Sequence, residues 1–269
     1  MANRRPLLEL CTEDIEGVAA ASALGLDRVE LCSALSEGGL TVSYGFACEA
    51  LAKAGRVGVQ FLIRSRPGNF VYDAAQLRVM AADITMLRSL ERSGGPQLGF
   101  VIGALTEDAA LDEDALRLLL DACGPAPVTF HRAFDLIADQ AAALERLIGL
   151  GFDRVLSSGG ALSASAGAAT LGALVRQAAG RIVILPGGGI RSHNIAALLS
   201  ETGAAEVHFS LPKTVTGKRL GQLPNQAERP ALTGTPVPVT ATLRPDTAAV
   251  EALLRAVAEF SAAPGVSAS

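Results

Sequence analysis

A chain of 269 residues that is 49% hydrophobic and 19% charged has the composition of a folded globular protein, not a disordered one. Its 23 Lys and Arg against 27 Asp and Glu give a formal charge of −4, which argues against the basic surface that general nucleic-acid binding needs. No run of uncharged apolar residues is long enough to span a bilayer, so no membrane partner is expected, and the basic opening is followed by too short an apolar run for a secretory leader.

In chain order, short aliphatic or β-branched runs alternate with longer Ala/Leu-rich amphipathic stretches. Strands are predicted at 7–11, 28–32, 57–63, 98–102, 127–131, 153–157, 181–185 and 206–210. Helices are predicted near 13–24, 44–54, 73–93, 112–122, 138–149, 165–179, 192–202 and 246–260. Eight strand-then-helix units predict parallel strands with right-handed crossovers, which close into a barrel. The fold class is therefore α/β, a single-domain (β/α)8 TIM barrel over residues 1–261. Gly25-Leu26-Asp27-Arg28-Val29 is echoed by Gly151-Phe152-Asp153-Arg154-Val155 about half a chain later, the pattern of two half-barrels. Residues 212–245, rich in Pro, Gly and Thr, are expected to form a long irregular insertion, either a surface excursion or a lid or dimer arm. A disordered tail is expected at 262–269.

The strand C-termini of a parallel barrel build its site, and side-chain alternation tells which residues point inward. Glu9 and Cys11 share one face of strand one; Glu30 and Cys32 share the matching face of strand two. A buried carboxylate needs a cation, a metal or hydrogen bonds, and Arg64 at the end of strand three is a candidate partner for Glu9 or Glu30. Neighbouring strands lie about 4.8 Å apart, so two thiolates there can share one soft ion such as Cu(I), form a disulfide, or do neither. Cys48 and Cys123 fall in helices and read as packing. Four Cys without a CxxC pair read as reduced thiols in a cytoplasmic protein. His131 ends strand five, and His208 and Ser210 share a face of strand eight. Glu9, Glu30, Cys32, Arg64, His131 and Ser158 are expected to converge in one pocket, and if copper is the ligand the Cys11 and Cys32 sulfurs should lie about 4–5 Å apart, twice a short metal–sulfur bond.

Two glycine-rich turns follow strands six and seven: Ser157-Ser158-Gly159-Gly160 and Pro186-Gly187-Gly188-Gly189. Such turns let backbone amides approach an anion, and Ser192 reads as an N-cap for helix seven. Ser158, Gly159, Gly160, Gly187, Gly188, Gly189 and Ser210, with Arg66 and Arg132, form a candidate anion-binding set. A Schiff-base aldolase is disfavoured, because Lys53, Lys213 and Lys218 all lie off the inner strand ends.

Several of these motifs together resemble the CutC family of copper homeostasis proteins. They are Glu9-Leu10-Cys11, the run Asp27 to Thr41, Ile63-Arg64-Ser65-Arg66, Thr129-Phe130-His131-Arg132-Ala133-Phe134-Asp135 and Leu185-Pro186-Gly187-Gly188-Gly189-Ile190. The resemblance runs from about Leu7 to Ser210. It implies a single TIM barrel, a cytoplasmic location, a homodimer, and copper held by Cys11 and Cys32. The alternative is a barrel enzyme of isomerase or lyase type acting on a small phosphorylated or carboxylated molecule. There Glu30 or His131 would be acid or base, and Arg64 and Arg132 would hold the anion. A third reading is a scaffold whose interface is its main business.

Overall fold

The computed structural model describes residues 5–216 and 241–263. Eight parallel strands form the barrel: β1 Leu7–Thr12, β2 Arg28–Leu31, β3 Gly58–Leu62, β4 Leu98–Ile102, β5 Val128–Phe130, β6 Arg154–Ser157, β7 Val183–Pro186 and β8 Glu206–Phe209. Each pairs with its sequence neighbour, and β1 also pairs with β8. A parallel bridge between Gly187 and His208 joins β7 to β8 and closes the ring.

Helices α1 Ile15–Ala23, α2 Tyr44–Ala54, α3 Ala74–Arg88, α4 Glu113–Cys123, α5 Gln140–Leu150, α6 Ala168–Ala178, α7 Ile195–Thr202 and α8 Thr247–Ala262 surround it. Short acidic or hydroxyl side chains start most of them. Asp14, Ser43, Asp112, Asp139 and Asp246 each accept a hydrogen bond from a first-turn amide, and Asp73 makes a full capping box with Gln76. Outward strand residues such as Leu8, Leu10, Val29 and Leu31 pack against these helices in one continuous apolar shell. No helix among the described residues is long and apolar enough to cross a membrane.

The half-chain echo does the same two jobs in both halves. Asp27 accepts from the Leu8 amide at 2.9 Å, and Asp153 accepts from the Val128 amide at 2.7 Å, so each pins the start of the preceding strand. The arginine after each aspartate then points into the barrel.

The insertion is less irregular than its composition suggests. Pro212–Thr216 (β9) and Ala241–Pro245 (β10) pair antiparallel. Their Thr and Val content favours a strand once the ends are brought together. The root is tied by the Asp246 amide donating to the Leu211 carbonyl at 2.7 Å and by an ion pair between Arg244 and Glu16 on α1. Residues 217–240 and the tail beyond 263 lie outside the described residues; α8 itself runs to Ala262.

Candidate functional site

Register decides which inward side chains meet. Glu9 is the row partner of both Arg28 on β2 and His208 on β8. The three converge: the Arg28 Nε donates to the Glu9 carboxylate, and Glu9 Oε1 lies 2.7 Å from His208 Nδ1. Arg28 also reaches Glu206 at 2.7 Å, and Arg154 reaches the same oxygen at 2.8 Å. Burial alone would push the Glu9 pKa up. The His208 hydrogen bond and the Arg28 charge overcome it and hold the carboxyl at about 2. Burial opposes charge on His208, yet Glu30 and Glu9 raise its pKa, so it holds a proton more readily than a free imidazole. Arg64, the expected partner of these carboxylates, is not part of this network. Arg28 fills that place because it is in register with Glu9.

One row higher, Cys11 is the partner of Glu30. The Cys11 thiol donates to Glu30 Oε1 at 3.4 Å and sits 3.9 Å from the Cys32 sulfur, slightly closer than the separation expected for two sulfurs sharing a copper ion. Cys32 donates onward to the Thr12 carbonyl at 3.7 Å. Cys32 is fully buried against Leu62 and Val101. The loop after β2 lies directly on it at Gly39, where an added Cβ would stand 2.5 Å from Leu62 and φ is +89°. The hydrogen bond with Cys32, then burial, pushes the Cys11 thiol well above its usual pKa, and burial raises Glu30. Ligand atoms of Cys11, Glu30 and His208 all lie within 4.8 Å of one another.

Above this layer opens a cavity of about 570 Å³, lined by Cys11, Glu30, Arg64, His131 and His208 among others. Three residues expected in it sit elsewhere. Glu9 lies in the row below, Cys32 lies under the Gly39 loop, and Ser158 is fully buried. Ser158 is engaged by Asp135: its amide and hydroxyl, and the Gly160 amide, all donate to that carboxylate at 2.9–3.1 Å. Gly159 donates to Ser157 Oγ at 2.8 Å. The nest that the sequence offers to a bound anion is thus filled from within. Arg132 reaches the cavity but pairs with Asp135 at 2.8 Å. Arg66 clamps its own loop, donating to Asn69 and Val71 with its guanidinium over Tyr72. Gly188, Gly189 and Ser210 line the cavity, whereas Gly187 donates to the Ser157 carbonyl at 2.9 Å in the closing seam. Ser192 does not cap α7. The helix starts after Asn194, whose side chain instead ties the turn to Arg191 and Gly189.

His131 is held by its surroundings. Nδ1 accepts from the Ala133 amide at 3.2 Å, which places the ring proton on Nε2. The ring lies 4.7 Å from Phe70, and the Arg64 guanidinium lies 5.0 Å from that same phenyl ring. Burial and the Arg64 charge lower its pKa to about 3. Gly103 makes room for it: a Cβ there would stand 2.3 Å from the imidazole. Gly103→Ala is expected to cost about 1–3 kcal/mol by overpacking, read from urea denaturation, with the His131 ring resonances displaced.

Sequence reasoning missed Arg28, Arg154 and Glu206 beneath the site and Arg191 at its rim. Arg28 stands two residues before Glu30 and so shares its face, and Arg154 is its counterpart in the echo. Nothing local marks Arg191, whose position depends on how the loop after β7 turns.

A model of the CutC family matches residues 6–213. A human protein named copper homeostasis protein cutC homolog is 43% identical over 208 residues, 77% of this chain and 74% of its own length. A CutC family protein of Mesorhizobium japonicum is 47% identical over 212 residues, 79% of this chain and 80% of its own. The crystal structure of a CutC protein from Streptococcus agalactiae superposes with a TM-score of 0.70 at 36% identity, covering 76% of this chain and 98% of that one. With all eight barrel strands, the paired thiols and the mouth residues inside the matched span, the chain belongs to the CutC family, a family of copper homeostasis proteins.

Proposed function

We propose that the protein binds Cu(I) at the barrel mouth through Cys11 and Cys32, as a copper-handling protein of the cytoplasm. The observation that carries this is a pair of thiols 3.9 Å apart beside a carboxyl and an imidazole. Soft sulfur donors select Cu(I), and imidazole suits copper as well. Two metal–sulfur bonds of about 2.3 Å span 3.9 Å only when bent, which leaves a side open for a third donor. His208 is suited to it, because Glu9 holds one of its nitrogens, the usual support for a ligating histidine. Both thiols and His208 must give up protons to bind a cation, so affinity rises with pH.

Titration of Cu(I) under reducing conditions against a chromophoric competitor tests this. Wild type is expected to take up Cu(I) stoichiometrically, with binding lost in Cys11→Ser and Cys32→Ser. Glu9→Gln is expected to weaken it about 10–100-fold. Equal stoichiometry and affinity in wild type and both serine variants would refute the thiol site.

A further inference from the structure

The thiol pair accounts for only one part of the cavity. The wall supplied by the loops after β3, β5 and β7 has a different chemistry. Arg64 is buried, yet its guanidinium donates to the backbone carbonyls of Glu37, Gly39 and Gly68 and acts on the Tyr72 hydroxyl, all neutral partners. Arg191, at the rim, donates only to the carbonyls of Ile190 and Ser210. Neither has a carboxylate partner among the described residues. One buried donor on this wall, His131 Nε2, also lacks a hydrogen-bond partner among the described residues, on a residue that is 5% exposed and lines the cavity. Buried donors are normally satisfied, so an orphan donor on a residue that lines the cavity, beside two arginines without carboxylate partners, marks a place where something else supplies the acceptor.

We propose that this wall binds the oxyanion of a small organic acid, with Arg64 and Arg191 supplying charge and the His131 Nε2–H a neutral hydrogen bond. The ligand is larger than inorganic phosphate. About 570 Å³ is a small-molecule volume, and Leu35, Leu62, Phe70 and Leu156 give the cavity apolar sides that bare phosphate would not use. The ligand class is therefore a carboxylate or a phosphate monoester on an apolar body. His131 suits this role because its tautomer is fixed by the Ala133 amide, so its other nitrogen is a donor and not an acceptor. This site is separate from the copper reading, which uses neither arginine.

The test is calorimetric titration of the full chain, in chelator and without copper, with benzoate, phenyl phosphate, benzyl alcohol and inorganic phosphate. One or both organic anions are expected to bind at least tenfold tighter than benzyl alcohol and inorganic phosphate, and to raise the melting temperature. Which anion binds tighter tells a carboxylate ligand from a phosphate ester. Arg64 also braces two loops, so Arg191→Gln and His131→Asn are the decisive variants, each expected to weaken the anion at least tenfold. The proposal fails if benzyl alcohol binds as well as the anions, if neither variant weakens them, or if no organic anion binds at tens of millimolar. Inorganic phosphate binding as tightly as phenyl phosphate would overturn the organic-acid assignment. Because copper is absent throughout, none of these outcomes depends on the thiol site.

Discussion

Arg28→Met is expected to lower the unfolding free energy by about 3–5 kcal/mol. The side chain is 4% exposed and bonds both Glu9 and Glu206. Methionine fills much of the same volume but takes one cation from each of two buried carboxylates, leaving Glu9 with His208 alone and Glu206 with Arg154 alone. Most of the loss is the cost of those stranded charges, not the value of the pair. A second substitution separates the two. Arg28→Met combined with Glu9→Met is expected to recover part of the loss, since apolar replacement of a whole buried pair is often near neutral. Urea denaturation at neutral pH measures both. A loss below about 1 kcal/mol in the single variant would show that the network is not holding the barrel.

Mild acid is expected to destabilise the protein through His131. Above pH 6.5 the ring is neutral in both folded and unfolded chains. Below it the unfolded ring takes up a proton, while the folded ring, held at about 3 by burial and Arg64, does not. A depressed folded pKa gives stability that is present above the unfolded value and is lost as pH falls towards the folded one. At pH 5 the loss from this residue is about 2 kcal/mol relative to neutral pH, approaching about 5 kcal/mol near pH 3. His208 has the opposite sign, because its folded pKa is raised. Its contribution is present at low pH and fades as pH rises through the folded value. Comparing wild type with His131→Gln between pH 7.5 and 5 isolates the His131 part, and the variant should show the shallower slope. Equal slopes would mean that the folded ring takes up its proton as the unfolded ring does.

The barrel and the faces of its strands were legible in the sequence, since alternation put Glu9 with Cys11 and Glu30 with Cys32 on inward faces. The depth of each residue was not. Glu9 and Cys11 are two residues apart and look equivalent, yet the register with β2 and β8 puts Glu9 in an ion network and Cys11 in a cavity wall. Strand stagger is set by closure of the whole barrel, which no local segment encodes. Arg64 shows a second limit. A sequence suggests an acidic partner for a buried arginine, but here loops distant in sequence present their carbonyls instead. Asp135 shows a third. A glycine-rich turn announces an anion, and it does not say that the chain itself supplies it.

Glu9, Arg28, Arg154, Glu206 and His208 form an ion-paired floor beneath the thiols, and Cys32, Leu62 and Val101 pack as an inner apolar cluster beside the site. The barrel is therefore a cup and not a conduit. Whatever the cavity accepts must depart through the same opening, because crossing the floor would mean breaking buried ion pairs. Loading and unloading then compete for one doorway. A ligand leaving and a ligand arriving would have to use the loop-bearing face in turn, never opposite ends at once.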